Sequence, residues 1–410
     1  MKKVELLSPA GDFEKLKTAF LYGADAVYVG TKNFSLRSGA GNFNREQLME
    51  GVEYAHIRNK KVYVAVNILA RNNDLELMRE TFQMISEAKA DAVIISDPGL
   101  MGIIKSIDKK MEIHISTQAN ITNIESAKMF VKLGAKRLIL ARELSLKEIA
   151  EIKKQLPTGV EIETFVHGAM CMAYSGRCLL SNYLANRESN RGDCAQPCRW
   201  NYHLVEEKRP GEYMPIYEDE RGTYIFNSKD LCLIEYIDKL IEAGITSLKI
   251  EGRMKSVFYN ACTTRGYRGA INDYYLNKKD YKFNNKWLEE VKAASHRQFT
   301  TGFYFNDNPK AQIYTTSSYV REKIFVAKVM EYNEETKIAT LMQRNKIIDG
   351  EVIEFMLPDG SNFKQDAINM YDKNNKKIEA TPHAQMLFTL KVEQKVYKGI
   401  LVRTDKGVKS

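Results

Sequence analysis

The chain has 410 residues, of which 44% are hydrophobic and 28% are charged; this composition excludes intrinsic disorder, and the length predicts two domains. The 61 basic and 52 acidic residues give a net charge of +9, which favours a polyanionic partner such as nucleic acid, although a generally basic proteome would give the same balance. No apolar stretch approaches the roughly 18 residues of a membrane span, and the start of the chain leads directly into a strand-like run, so we predict a cytoplasmic protein with no membrane partner.

The first 280 residues consist of short apolar runs that alternate with amphipathic stretches. The runs have the length of buried parallel strands: Val4–Leu7, Ala26–Val29, Val62–Val66, Ala92–Ile95, Glu112–Ile115, Arg137–Leu140, Ile162–Val166 and Ser247–Ile250. Helical periodicity marks other stretches: Phe13–Tyr22, Arg45–Arg58, Leu75–Lys89, Ile124–Leu133, Leu146–Gln155 and Lys229–Ala243. Eight strand–helix units in series predict the α/β class and a (βα)8 TIM-like barrel rather than a doubly wound sheet.

A repeated turn supports the barrel. Before every even-numbered strand the chain carries a turn of similar shape: Gly23-Ala24-Asp25, Lys89-Ala90-Asp91, Gly134-Ala135-Lys136 and Gly244-Ile245-Thr246. The repeating unit is therefore (βα)2, and glycine in this place fits the end of a helix. The last interval is longer because residues 168–228 are inserted after the seventh strand, which places them at the carboxyl end of the barrel, where active sites lie.

The helical pattern ends near Phe299, and short alternating runs follow. They predict strands over Phe325–Tyr332, Lys337–Arg344, Val352–Leu357, Gln385–Lys391 and Gly399–Val402, with turns at 333–335, 349–350 and 358–360. We therefore predict a (βα)8 barrel over residues 1–290, a linker over 291–320 and a small all-β, barrel-like domain over 321–410.

Four of the six cysteines lie within the insertion, at Cys171, Cys178, Cys194 and Cys198. Four thiolates over so short a stretch suit either a tetrahedral zinc ion or an iron–sulfur cluster. The irregular spacing and the single loop favour a 4Fe–4S cluster facing the barrel cavity; structural zinc and buried apolar cysteines are the alternatives. Cys232 and Cys262 are predicted as core residues, with Cys232 as a reserve ligand.

Polar residues follow several of the predicted strands. His114, Arg142, His167, Glu251 and Arg253 stand out, because charged and imidazole groups at this end of a barrel can act as acids and bases. His167, Glu251 and His114 are the catalytic candidates, and each alone could equally be a hydrogen-bonded structural residue.

Basic and aromatic residues are dense near the insertion and the helix that follows the last strand. Arg199, Trp200, Arg253 and Lys255 are the candidates for contacts with RNA, because arginine and tryptophan together can hold phosphates and stack on a base. A solvated basic surface is the alternative. The chain carries no HExxH helix, no GxSxG motif and no P-loop, so no protease mechanism follows from its residues.

The run ETFVHGAMCMAYSGRCLLS over Glu163–Ser181 resembles the signature of family 32 of the unassigned peptidases, the collagenase-like group. The resemblance extends through nearly the whole chain: Glu5–Gly11, Gly23–Gly30, His114–Gln118, Asn190–Trp200, Asn227–Leu231, Leu248–Ser256 and the tail Arg344–Phe355.

This resemblance implies a function. Family members of the tRNA branch, which this arrangement resembles most, hold a 4Fe–4S cluster on four cysteines and convert wobble uridine to 5-hydroxyuridine without oxygen, with prephenate as the hydroxyl donor. Other branches act on ribosomal RNA or on ubiquinone precursors, and in the latter one ligand comes from elsewhere, which keeps Cys232 a candidate. The cluster ligands would be Cys171, Cys178, Cys194 and Cys198, and Arg142 or Arg253 would bind the donor acid. The rival interpretations are a peptidase and a non-catalytic cluster protein paired with a paralogous subunit.

Overall fold

The structure is a computed structural model, and it describes residues 3–32, 34–35, 41–171, 173–200, 229–305 and 322–405. The predicted insertion beyond residue 200 and the second half of the predicted linker lie outside these residues. The strands of the first sheet are β1 (Glu5–Pro9), β2 (Ala26–Gly30), β3 (Lys61–Ala65), β4 (Ala92–Ile95), β5 (Glu112–Ile115), β6 (Arg137–Ile139), β7 (Glu161–Ala169), β8 (Asp230–Cys232), β9 (Ser247–Ile250) and β10 (Phe299–Thr300). The helices are α1 (Phe13–Leu21), α2 (Arg45–His56), α3 (Leu75–Glu87), α4 (Gly99–Ile107), α5 (Ile124–Lys132), α6 (Leu146–Gln155), α7 (Leu180–Ala185), α8 (Ile237–Glu242), α9 (Val257–Leu276) and α10 (Lys286–Lys292).

Eight parallel strands form a closed barrel. Strands β1 to β7 pair in chain order, and β9 pairs with both β1 and β7, which closes the sheet. Each of the eight predicted apolar runs is one of these strands, so the predicted (βα)8 barrel is confirmed. The carboxyl ends of all eight strands therefore meet at one end of the barrel.

The repeated turns have one backbone conformation. Their first residues all adopt the left-handed region, with φ of +101° at Gly23, +57° at Lys89, +104° at Gly134 and +85° at Gly244. In two of the turns the aspartate side chain also accepts a hydrogen bond from the backbone of the preceding strand. The N–H of Leu6 donates to Asp25 at 2.9 Å, and the N–H of Val62 donates to Asp91 at 2.8 Å. The (βα)2 repeat thus fastens the amino ends of the strands in register.

The prediction of a helix over Lys229–Ala243 is wrong for the first half of that range. Asp230–Cys232 forms β8, which pairs antiparallel with the extended end of β7 and parallel with β10. The backbone hydrogen bonds offered by β7 override the local helical pattern, and the helix begins only at Ile237. Cys232 and Cys262 are both buried, as predicted for core residues.

The C-terminal strands form a second, antiparallel sheet. They are β11 (Lys323–Asn333), β12 (Ile338–Gln343), β13 (Val352–Met356), β14 (Asn362–Asp366), β15 (Met370–Asp372), β16 (Lys377–Ile378), β17 (Leu387–Lys391) and β18 (Leu401–Asp405). Their order is β14-β13-β18-β11-β12-β17-β15-β16, and one hydrophobic core packs against them. The predicted all-β domain is confirmed, although the sequence missed β14, β15 and β16, which are short or mainly polar.

Contacts divide the chain into two compact units. The first comprises Met1–Leu16, Asp25–Met254 and Arg297–Tyr319, and the second comprises Lys17–Ala24, Lys255–His296 and Val320–Ser410. Helices α9 and α10 thus group with the C-terminal strands; within that unit Arg265 donates hydrogen bonds to the Leu357 carbonyl at 3.0 Å and to Asn362 at 2.7 Å. The domain boundary near residue 290 stays a prediction.

Candidate functional site at the mouth of the barrel

The first part of the insertion is fastened to the loop after β3. Arg191 forms a two-pronged ion pair with Asp74, with N–O distances of 2.8 and 2.9 Å. The backbone N–H of Leu69 donates to the Asn190 carbonyl at 3.1 Å. The guanidinium of Arg191 holds the pKa of Asp74 down at about 2, so the carboxylate is charged at neutral pH. This pair holds the cysteine-bearing segment over the carboxyl ends of the strands.

A cavity of about 400 Å³ lies between this segment and the strand ends. Its wall combines residues that follow the barrel strands with residues of the insertion, and all four cysteines of the insertion line it. The volume falls in the range of small-molecule and nucleoside sites. The structure therefore brings the predicted cysteine set and the strand-end residues into one pocket.

None of the four cysteines forms a disulfide within the described residues, and their exposure differs. Cys171 is exposed, whereas Cys178, Cys194 and Cys198 are partly buried. The backbone N–H of Gln196 donates to the Cys194 sulfur at 3.4 Å. Among the described residues, no three His, Cys, Asp or Glu side chains converge closely enough to hold a single metal ion.

Four thiols on one cavity wall are a donor set that fits a metal ion or a metal cluster. A zinc ion draws four sulfurs to about 2.3 Å from one centre, whereas each cysteine of a 4Fe–4S cluster binds a different iron, so the sulfurs stand further apart. All four thiols line the one cavity, so the residues that either group would need are present there.

Arg142 lies at the junction of barrel and insertion. It is 7% exposed, and its guanidinium donates to the Ala169 carbonyl at 3.0 Å and to Ser175 Oγ at 2.9 Å. Burial opposes a high pKa for Arg142, but Cys171 and the acids Glu143 and Glu251 raise it. Arg142 therefore places a buried cation beside Cys171.

A second charged group enters the cavity from β9. Lys249 is 4% exposed and lines the cavity, with its ammonium 2.9 Å from Glu163 and 4.4 Å from the centre of the Tyr28 ring. Tyr28 in turn donates to Glu251 at 3.2 Å. Glu251, one of the catalytic candidates, therefore lies on the cavity wall and is oriented by a tyrosine.

The barrel interior carries a charged network where (βα)8 barrels usually pack Val, Ile and Leu. Arg137 pairs with Glu5 at 2.6 Å, with Glu161 at 2.5 Å and with Glu163 at 2.9 Å. Burial alone would raise the pKa of Glu163, but Lys249 and Arg137 hold it below the usual value. Lys249 joins this network to the cavity.

The two predicted histidines lie outside the cavity wall. His114 is fully buried within the barrel, with its ring 4.7 Å from that of Tyr63. Burial, followed by the charge of Arg137, lowers the pKa of His114, so the ring is neutral at pH 7. His167 is 1% exposed and packs edge-on against Phe299. Their catalytic role stays a prediction, and neither ring is among the residues that line the cavity.

The predicted RNA contacts differ in position. Trp200 is 44% exposed on the surface of the insertion. Arg253 is 3% exposed and lines the cavity, so it is available to a molecule inside the cavity and not to one on the surface. Lys255 belongs to the second unit, where its ammonium lies 5.3 Å from the Tyr259 ring centre. The side chain of Arg199 is outside the described residues.

The opposite wall of the cavity is neutral and polar. Asn67, Ser116 and Gln118 follow β3 and β5, and Asn67 Nδ2 donates to Ser116 Oγ at 3.2 Å. Asn67 and Gln118 follow predicted strands, but sequence reasoning did not single them out, and it missed Tyr28, Phe165 and Lys249. Lys249 had a visible signal, since it is a charged residue inside a short buried strand.

The fold and the site define a class of protein: a (βα)8 barrel with a cysteine-lined cavity at its mouth, followed by a small β domain. The chain matches the model of peptidase family U32 over residues 11–314 and that of the family's C-terminal domain over residues 321–403. It therefore belongs to peptidase family U32.

Relatives of this chain carry two kinds of name. This chain is 38% identical to tRNA hydroxylation protein P1 of Bacillus subtilis, and the match covers 99% of this chain and 96% of the relative. The same organism has tRNA hydroxylation protein P2, 34% identical over 75% of this chain and 99% of that protein. A protein named collagenase in Porphyromonas gingivalis is 34% identical, covering 82% of each chain. Among the described residues, no helix is both long and apolar enough to cross a lipid bilayer.

Proposed function

We propose that this protein hydroxylates uridine in tRNA without molecular oxygen, at a 4Fe–4S cluster held by Cys171, Cys178, Cys194 and Cys198. The observation that carries the proposal is the single cavity that all four cysteines share with the polar strand ends of the barrel. Relatives named tRNA hydroxylation proteins match this chain from end to end, which supports tRNA as the substrate. When bound, the cluster would supply the one-electron chemistry that a hydroxylation without oxygen needs.

The charged side of the cavity suits an acidic hydroxyl donor, for which the family resemblance indicates prephenate. Arg142, Lys249 and Arg253 all line the cavity and are almost fully buried. Buried cations bind carboxylates strongly because little water competes for them. These three side chains would hold the donor acid, and Glu251 would accept or return a proton there.

RNA would contact the exposed part of the insertion, where Trp200 offers a ring for stacking on a base. Lys255, which belongs to the second unit, stays a predicted phosphate contact. A paralogous subunit stays a prediction; Bacillus subtilis has two tRNA hydroxylation proteins, P1 and P2, which makes pairing between such proteins worth testing.

The peptidase interpretation has the names of relatives in its favour: a collagenase of Porphyromonas gingivalis and an uncharacterized protease of Methanocaldococcus jannaschii. Nucleophilic proteolysis by cysteine or serine needs a base, usually histidine, within hydrogen-bond reach. No histidine is among the described residues that line the cavity. The described wall of the cavity therefore gives no support to a cysteine- or serine-type peptidase.

The test is nucleoside analysis of tRNA from a deletion strain that carries the wild-type gene or a variant, grown with and without oxygen. We expect 5-hydroxyuridine to vanish on deletion, to return with the wild type and with Cys262→Ala, and to stay absent with Cys194→Ala. Anaerobically purified wild type and Cys262→Ala should hold about four irons per chain. Unchanged 5-hydroxyuridine in the deletion strain, or stoichiometric zinc in a colourless protein, would show the proposal to be wrong.

A further inference from the structure

The carboxamide of Gln118 is buried against the cavity with its hydrogen-bonding groups unused. Gln118 is 2% exposed, and neither its side-chain oxygen nor its side-chain nitrogen has a hydrogen-bond partner among the residues that the structure describes. Buried amides are rarely left in this state, because the lost hydrogen bonds to water are not replaced. A group of this kind that lines a cavity is satisfied when a ligand enters.

The surroundings hold this amide in place. Gln118 lies in a tight turn after β5, where Asn120 Nδ2 donates to its backbone carbonyl at 2.8 Å and to the Ser175 carbonyl at 3.1 Å. A Cβ placed on Gly176 would lie only 3.0 Å from Gln118 Nε2, so the cysteine-bearing loop packs directly on the amide. Gly176 itself has a φ of +75°, which other residues rarely adopt. The side chain is therefore fixed between β5 and the insertion.

The two walls of the cavity suit different chemical groups. The wall after β6 and β9 carries the cations Arg142, Lys249 and Arg253, which suit a carboxylate. The wall after β3 and β5 carries the neutral groups of Asn67, Ser116 and Gln118. A carboxylate can only accept hydrogen bonds, so it would leave the Gln118 oxygen without a donor. A planar base with a donor beside an acceptor satisfies both ends of an amide at once.

We propose that Gln118, supported by Asn67, binds the N3–H and O4 edge of a uracil base inserted into this cavity and so selects uridine as the target. The inference rests on the proposed function and names the residue that reads the base. Gln118 Oε1 would accept from N3–H, and Gln118 Nε2 would donate to O4. Tyr174, which lines the same cavity and is 46% exposed, offers a ring on which the base can stack.

The test compares two anticodon stem-loop RNAs, one with uridine at the target position and one with the pyrimidin-2-one nucleoside. The second base lacks both N3–H and O4 and adds no bulk. Binding is measured by fluorescence anisotropy with anaerobic, iron-loaded protein. We expect the wild type to bind the uridine RNA about tenfold or more tightly, as the loss of two neutral hydrogen bonds predicts. In Gln118→Met, which nearly keeps the volume of the side chain, the ratio should fall to about one.

Two further variants separate base reading from a structural role. Gln118→Glu keeps the shape of the side chain but replaces its donor by an acceptor, so it should also lose the preference and lower 5-hydroxyuridine in cells. Gln155→Met makes the matched change on α6, outside the cavity, and should keep the wild-type ratio. A wild-type ratio of one, or a preference kept in folded Gln118→Met or Gln118→Glu, would overturn the inference. If the deletion strain keeps its 5-hydroxyuridine, the proposed function fails instead.

Discussion

At the scale of single residues, the charged interior of the barrel stands out because burying charges costs free energy unless they are paired. Glu163 is fully buried, yet it is ionised because Lys249 and Arg137 both lie 2.9 Å from its oxygens and Ser247 donates to it at 3.1 Å. A buried ion pair adds little stability compared with apolar packing, but the loss of one partner leaves an unpaired charge in a low dielectric. The network therefore fixes Lys249 at the cavity wall more than it strengthens the fold.

We expect Glu163→Gln to lower the free energy of unfolding by about 3–5 kcal/mol, because Lys249 then loses its buried anion. Denaturant titration measures the change, and Glu125→Gln, in the exposed pair of Glu125 with Lys128, should change it by less than about 0.5 kcal/mol. Because the pKa of Glu163 is lowered on folding, its contribution is present above the ordinary pKa of about 4.3 and is lost as the pH falls further. Equal stability of the two variants at pH 7 would contradict this account.

Side-chain direction explains which residues of the cavity wall could be predicted from the sequence and which could not. The cysteines were identifiable from residue type and clustering, and Arg142, Glu251 and Arg253 from their position after strands. His114 and His167 have the same sequence signal, yet neither faces the cavity. Successive side chains in a strand point to opposite sides, and β7 carries an irregularity between Phe165 and His167; sequence does not reveal such an offset.

At the scale of elements, the barrel strands could be predicted from the sequence, whereas strands that depend on their neighbours could not. Buried parallel strands are continuous apolar runs, so all eight could be located from sequence. Strand β8 depends on pairing with the end of β7 and with β10. Strand β14 has the sequence NFKQD, with a single apolar side chain to mark it. Such elements are determined by their neighbours and not by their own composition.

The ion pair of Arg191 with Asp74, which joins the insertion to the loop after β3, gives a prediction at this scale. Asp74→Asn removes the two-pronged pair with Arg191, so trypsin should cleave the insertion after Arg177 or Arg187 several times faster. Glu188→Gln removes the more exposed ion pairs with Arg71 and with Arg191 but keeps the pair of Arg191 with Asp74, so it should change the rate little.

Acid should mimic the Asp74→Asn change. The pKa of Asp74 is lowered to about 2. The ion pair with Arg191 is therefore intact above the ordinary pKa of about 4 and is lost as the pH falls towards 2. Equal cleavage of wild type, Asp74→Asn and Glu188→Gln would show that the pair does not hold the insertion.

At the scale of the whole molecule, the net charge of +9 makes RNA binding testable by salt. Binding through phosphates releases counterions, so the logarithm of the affinity should fall linearly with the logarithm of the salt concentration. Lys255→Ala should reduce the magnitude of that slope by about one. Trp200→Ala should weaken binding by about 1–3 kcal/mol without changing the slope, because stacking releases no counterions. A slope near zero in the wild type would contradict tRNA as the partner.

The central claim is tested most directly by one measurement of 5-hydroxyuridine. Iron-loaded protein is incubated without oxygen with prephenate and with tRNA from the deletion strain, and the tRNA nucleosides are then quantified by mass spectrometry. The account predicts 5-hydroxyuridine with the wild type, none without prephenate, and none with Cys194→Ala. Formation of the nucleoside only when oxygen is admitted, or equal formation by wild type and Cys194→Ala, would contradict it.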